Sequence, residues 1–475
     1  MGYINLQKKI RDYVVAHREA ILQDLSDLIS IPGVAKPGKD NLPYGRECYE
    51  SLLRFEAIAK RMGFETTIYD DAVLTIEWGS KPLQLGIMAH LDVVAAGDGW
   101  DTDPYAMVQM DDRLVGRGVA DDKGPAIAAL YAMDAIRTFC PDLPYGVQLW
   151  LGSAEEIGSP DIKRYLQSHT MPPIVLTPDS SKPLCICESA KYRPGFSAQW
   201  TVGNAVSPRV KYLQGGRMRN AIPDKAEALV AGLTAAEVRD VSQRVELETE
   251  VSFEVSDTAD GLFIRAIGRS VHINIAQEGR NAQTALITLL NKLPLADCAS
   301  TSAIEQLSRL FPHGDISGKA MGLVVCDDMM GTSRTNFTTC YLDDTGFHGQ
   351  FDSRGPTNAT PENYSLIIDN ALRNANFIVE ECEMEAAHYV PADAPIVHVM
   401  QELWHQVWGV SPSPSFSFGS TYAHHIEGAV AVGVGTPGVD LLLHKANEFL
   451  SLGDLERQVE LCSLAIARLC AENPL

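Results

Sequence analysis

The sequence predicts an α/β fold, a discontinuous α/β/α sandwich domain with an inserted α+β lid domain. Three observations predict it. Apolar runs leading into histidine or carboxylate recur at "LQLGIMAHLD", "YGVQLWLGSAEE", "PPIVLTPDSS" and "GVDLLLHKANEF". The first three alternate with stretches of helical spacing, as strands and helices do in an α/β domain. The fourth lies far downstream, beyond residues 187–386, which have strand-like runs of their own ("VELETEVSFEVS", "GLFIRAIG", "GFHGQFDSRGP") and an amphipathic helix ("NAQTALITLLNKL"). If the fourth run joins the same sheet edge as the first, the residues between must be an insertion. Domain boundaries at 1–186 with 387–475, and 187–386, follow.

The elements justify this in order. At the N-terminus Val14, Val15, Ile21, Leu22, Leu25, Leu28 and Ile29 recur at roughly helical spacing, which predicts a helix packed on a core. No continuous apolar h-region is present, and position 6 lacks the serine or threonine of a myristoylation signal. The run "GAVAVGVGTPGVDLLL" is too short and too broken by glycine, proline and Asp440 to span a bilayer. A cytoplasmic, soluble protein without membrane partners is expected. The formal charge of −22 and the lack of a long basic cluster argue against nucleic acid as a partner. Ten scattered cysteines, with no C-x-x-C, argue for reduced thiols and against a cysteine-based zinc site.

The first apolar run ends in His90-Leu91-Asp92. Residues i and i+2 of a strand share a face, so His90 and Asp92 read as a metal ligand with its orienting group, or as a histidine satisfied by its neighbour. "GRGVADDKGPAIAALYAMDAI" places Asp121 and Asp122 in a turn before a helix, where adjacent like charges repel unless compensated. Glu155 and Glu156 follow the second run, and Asp179 ends the third. Alone, the aspartate pair reads rather as a solvated turn and the glutamate pair as an ordinary surface pair. Ligands of open α/β sheets bind beyond the carboxyl ends of the strands, so His90, Asp121, Glu156, Asp179 and His444 should converge on one rim. Two divalent ions relieve the repulsion of such a cluster: three carboxylates, two neutral imidazoles and one hydroxide balance them. Mixed nitrogen and oxygen ligation suits zinc, manganese or cobalt.

The motifs "HLDVVAAGDGWDTDP", "GRGVADDKGP", "SAEEIGS", "TPDSS", "GGRMRNAIPDKA", "GRSVHINIAQEGRNA", "FDSRGPTN" and "LLLHKANEF" stand in this order over nearly the whole chain. Their order and spacing resemble the dipeptidase V and carnosinase-like branch of the co-catalytic zinc metallopeptidases, a family that includes aminoacylase and succinyl-diaminopimelate desuccinylase. The resemblance implies two divalent metal ions, most simply zinc. His90, Asp121 and Asp179 would hold one, Asp121, Glu156 and His444 the other, and the Asp121–Asp122 peptide would be cis. It implies that Asp92 orients His90 and that Glu155 is the general base. In the lid, His272 would polarise the scissile carbonyl once the lid closes, and Arg354 and Asn220 would contact the substrate, Arg354 at its carboxylate.

The implied activity is metal-dependent hydrolysis of dipeptides or very short peptides by a monomer or homodimer. The alternative is a deacylase of N-acyl or N-succinyl amino acids, and a non-catalytic binding protein on the same fold is the more distant reading. Carboxylates at Asp98, Asp101 and Asp103 would favour a substrate ammonium if they face the pocket. The chain departs from the family at "FGSTYAHHI": His424 stands where arginine is usual, and Ser420 replaces a glycine. The lid motif also reads serine-valine before His272 where the family prefers alanine next to the histidine.

Overall fold

The computed structural model describes residues 3–38, 42–201 and 206–472, so Met1 and Gly2 lie outside it. The chain forms two compact units. One comprises Met1–Glu188, His388–Phe416 and Ser420–Leu475, the other Ser189–Ala387 and Ser417–Gly419.

The first unit is built on a mixed sheet. Its strands run in the order Glu65–Tyr69, Val73–Trp78, Gly146–Gly152, Leu83–His90, Ile174–Ser180, Val430–Gly433, Leu184–Glu188 and His388–Tyr389. The central four are parallel and the flanking pairs antiparallel. Parallel strands need both faces covered, which is why these runs are almost continuously apolar. Met88, Trp150 and Val175 pack with Tyr165 and Tyr422 in one cluster. Their alternate neighbours Ile87, Ala89, Leu149, Leu151 and Leu176 point to the other face by the two-residue period, and all are buried. Helices Lys123–Phe139 and Leu452–Leu469 pack on each other and on the Leu83–His90 strand, and the N-terminal helix Tyr3–Ile29 packs on both. In that helix Val14, Ile21, Leu25, Leu28 and Ile29 are buried as their spacing predicts, but Val15 faces solvent. No described helix is long and apolar enough to cross a membrane.

Parallel direction puts four carboxyl ends on one rim, at His90, Gly152, Ser180 and Gly433, with His90 in register with Gly152. Gly152 is obligatory: a Cβ there would meet the Tyr422 hydroxyl at 1.9 Å.

The second unit is an antiparallel sheet with helices. Its strand order is Ser252–Thr258, Gly261–Ile267, Lys225–Ala231, Arg209–Gly215, Arg334–Leu342, Gly346–Gly355, Gly195–Gln199 and Ile378–Val379, with Ala190–Tyr192 beside Gly346–Gly355. Helices Ala235–Thr249, Ala282–Asn291 and Ala299–Leu310 contribute to its core around Phe196, Phe311, Phe337, Phe347 and Phe351.

Two expectations are corrected. "VELET" is the end of a helix, not the start of a strand. Glu237 caps the Thr234 amide at 2.8 Å and starts the helix, which runs to Thr249 before Glu250 turns left-handed at φ 55°. "GVDLLLHKANEF" is no strand before His444 either. Leu442, His444 and Asn447 have φ of 58°, 62° and 61°, so this segment is a tight loop between Val430–Gly433 and Phe449–Ser451.

Candidate active site

The rim of the first unit gathers the five predicted ligand residues. His90 Nε2 lies 3.0 Å from Asp121 Oδ1 and 3.9 Å from Asp179 Oδ2. His444 Nε2 lies 2.9 Å from Asp121 Oδ2 and 3.2 Å from Glu156 Oε1. The two oxygens of Asp121 thus face two different imidazoles. Donor atoms of His90, Asp121 and Glu156 lie within 4.8 Å of one another, as do those of His90, Glu155 and Asp179.

Each side chain is held by its element. His90 closes its strand, and its Nδ1 donates to the Asp92 main-chain oxygen at 2.9 Å, which leaves Nε2 directed at the carboxylates. The Asp92 carboxylate is 3.5 Å from the same nitrogen. Its shorter bonds accept the amides of Glu155 and Glu156, both at 3.1 Å, so Asp92 fixes the turn after Gly146–Gly152 as much as the imidazole. Asp121 sits at a cis peptide with Asp122, immediately before the helix that begins at Lys123. His444 is presented by the left-handed loop, a conformation that costs a non-glycine residue about 1–3 kcal/mol and is over-determined here. Asp440 Oδ1 accepts the Leu442 amide at 3.0 Å, and Asn447 exchanges two hydrogen bonds with Asp101. Asp101 is therefore a loop tether, Asp103 caps the Tyr105 amide, and Asp98 is exposed.

Two buried carboxylates that the sequence reading passed over build this rim. Glu448 accepts the amides of Gly118, Ala120 and Asp121 at 3.0–3.2 Å and pairs with Arg117. Asp161 accepts the amides of Ser153 and Ala154 and the Tyr422 hydroxyl. The signal for Glu448 was a charge set directly before an apolar strand in "NEFLS".

Burial raises the carboxyls of Glu155 and Asp179 well above their ordinary range, and neighbouring carboxylates push them further. Burial and the Asp121 charge also raise Glu156. Asp121 goes the other way: against burial, hydrogen bonds to His444 and His90 hold it low. Against partial desolvation, His444 is raised to about 11 by Glu156 and Asp121. The cluster has an excess of buried negative charge. Glu156 Oε1 is close to His444 but not aligned for a hydrogen bond, and among the described residues it has no other partner. A donor set of two imidazoles and three carboxylates with such an atom fits divalent cations.

The second unit holds the other three predicted residues. His272 Nδ1 accepts the Asn274 amide at 3.2 Å, which puts the ring proton on Nε2 and makes that nitrogen a donor. Asn220 is exposed, and its main-chain oxygen accepts the amide of Ile273, next to His272. Arg354 is buried and heavily engaged. Nε and Nη2 donate to the two oxygens of Asp352 at 3.0 and 2.9 Å, and Nη1 donates to Asn274 Oδ1 and the Phe418 carbonyl. Four of its five N–H groups are used. Arg354→Ala would leave the Asp352 carboxylate buried and unpaired, a loss of about 3–5 kcal/mol. Thermal melting should show the unfolding midpoint falling by roughly 10 °C; an unchanged midpoint would contradict this pairing. In the first unit, His424 is buried with Nδ1 3.4 Å from Glu188, whose carboxylate also accepts the Thr421 amide and hydroxyl.

An α/β unit with histidines and carboxylates converging beyond its parallel strands, joined to a smaller α+β unit, defines a candidate metal-dependent hydrolase. The sequence pattern of Peptidase family M20/M25/M40 matches residues 86–468, and the chain belongs to that family of metallopeptidases. A Beta-Ala-Xaa dipeptidase of Lactobacillus delbrueckii subsp. lactis is 28% identical over 475 residues, covering 98% of this chain and 99% of its own. Human carnosine dipeptidase 1 superposes with a TM-score of 0.58 at 15% identity, covering 96% of this chain and 98% of that one. The di-peptidase Dug1p of Saccharomyces cerevisiae gives 0.58 at 14% identity, covering 99% of both chains.

Proposed function

We propose that this protein hydrolyses dipeptides with two divalent metal ions, zinc in the simplest case and manganese or cobalt by the same donor chemistry. The observation that carries the reading is Asp121, whose two oxygens each face a different histidine at 3.0 and 2.9 Å. His90, Asp121 and Asp179 would hold one ion, and Asp121, Glu156 and His444 the other. When bound, the ions supply Lewis-acid polarisation and bring the pKa of water close to neutrality.

This chain's residues do the rest. Glu155 follows the strand that ends at Gly152, its amide fixed by Asp92, and lies in the same donor cluster as His90 and Asp179. It accepts a proton from the attacking water and passes it to the leaving amine. His272, with its donor Nε2, stabilises the oxygen of the scissile carbonyl. Asn220 and the remaining N–H of Arg354 contact the substrate, Arg354 at the terminal carboxylate. We assign residues 1–186 and 387–475 to the catalytic domain and 187–386 to the lid. None of the ten cysteines, all among the described residues, forms a disulfide, which supports a reducing, cytoplasmic setting. The names of the relatives point to the same substrate class.

The test is turnover of a dipeptide and its N-acetylated twin by the purified protein with zinc or manganese restored. Hydrolysis of the free-amine substrate alone is expected. Cleavage of only the acylated amide would replace this reading with that of a deacylase.

A further inference from the structure

We infer that Arg334 binds the terminal carboxylate of the substrate, supplying the donors that Arg354 has already committed. The inference rests on the proposed peptide-hydrolase reading and names the recognition group within it.

Three cations stand in one row across the sheet of the second unit. Arg334 pairs in register with Arg354 on the neighbouring strand, and Arg354 pairs in register with Lys191 on its other side. Residues directly opposite in antiparallel strands project from the same face, and like charges there are mutually destabilising. Two of the three are compensated. Arg354 holds Asp352 through two hydrogen bonds, and Lys191 lies 4.0 Å from Glu385. Arg334 forms no ion pair among the described residues, and its buried Nε has no hydrogen-bond partner. Burial lowers its pKa, and no acidic neighbour among the described residues offsets that. The Nη groups of this guanidinium are not among the buried orphaned atoms, so they are open to an anion from outside the chain.

Its surroundings say where that anion belongs. The Arg334 guanidinium lies over the Phe418 ring, 5.1 Å from the centroid. The Phe418 carbonyl accepts from Arg354 Nη1, which also donates to Asn274, and the Asn274 amide donates to His272. Arg334 is thus joined, through Phe418, Arg354 and Asn274, to the histidine assigned to the carbonyl. Contact with the Phe418 ring restrains the guanidinium, a pre-organisation that favours a carboxylate fork. Arg354 has one N–H left and cannot grip a carboxylate bidentately. Arg334 can.

The experiment compares a dipeptide with its C-terminal amide in the wild type and in Arg334→Ala, Arg334→Gln and Arg334→Lys. Each variant is scored by its own ratio of kcat/KM for acid over amide, so a general folding loss cancels. Arg334→Ala and Arg334→Gln should lower that ratio about 10- to 100-fold, through KM, as expected for losing a charged hydrogen-bonded pair. Arg334→Lys should fall between them and the wild type. An unchanged ratio in all three would overturn the inference. If the wild type cleaves neither substrate, the hydrolase reading fails separately, and calorimetric titration of the same pair then decides. Equal wild-type affinity for acid and amide, or an acid preference that survives in Arg334→Ala, overturns it.

Discussion

Glu155→Gln should lower kcat by about 100- to 10,000-fold, the range a positioned general base contributes, while leaving KM and bound metal nearly unchanged. Glutamine keeps the size of the side chain and its place behind the Asp92-capped turn, but it cannot accept the proton of the attacking water. The Glu155 and Glu156 amides would still be tied to Asp92 at 3.1 Å, so the neighbouring ligand Glu156 should not move. Steady-state kinetics with metal analysis of the same sample checks this. Full turnover would remove Glu155 from the mechanism. Loss of metal together with activity would make it a ligand rather than a base.

The second large effect belongs to Asp121. Asp121→Ala removes the one carboxylate placed between His90 and His444, and both ions should be lost. Activity should fall by about a thousandfold or more, because the polarisation they supply is worth several kcal/mol and each 1.4 kcal/mol is tenfold. His444→Ala is the control that separates a shared ligand from an ordinary one. It should lose one ion and keep the other on His90 and Asp179. Metal content by mass spectrometry on desalted protein reads both. Equal losses in the two variants would contradict the bridging assignment.

Much of this rim was legible because strand ends announce themselves. An apolar run that stops at His90, Glu155 or Asp179 has one physical reading once its neighbours do the same, and parallel pairing then brings the ends together. His444 was found for a partly wrong reason. "DLLLH" looks like a strand, but no residue type in it reveals that Leu442 and His444 turn left-handed. That geometry is imposed by the Asp440 cap and by Asn447 bonded to Asp101, far away in sequence. The same long-range pairing hid the role of Asp101, which reads as a loose charge until its partner is known. Glu448 was hidden likewise, since its three amide donors lie in the loop at Gly118–Asp121.

Arg354 teaches the opposite lesson. Asp352 stands two residues before it in "FDSRG", on the same strand face, so their pairing was readable from spacing alone. What the sequence could not supply was the register that sets Arg334 opposite Arg354 and leaves it uncompensated. Local pattern placed the chemistry of the metal rim. Sheet register was needed to find that Arg334, set beside Arg354, has no ion pair among the described residues.

The central claim is a pair of ions sharing Asp121. The most direct measurement is an anomalous-difference map from crystals of the zinc-loaded protein, collected on both sides of the zinc absorption edge. Two peaks should lie about 3.5–4 Å apart, one beside His90 and Asp179, the other beside Glu156 and His444, with Asp121 between them. A single peak, or peaks that leave Asp121 untouched, would contradict the account.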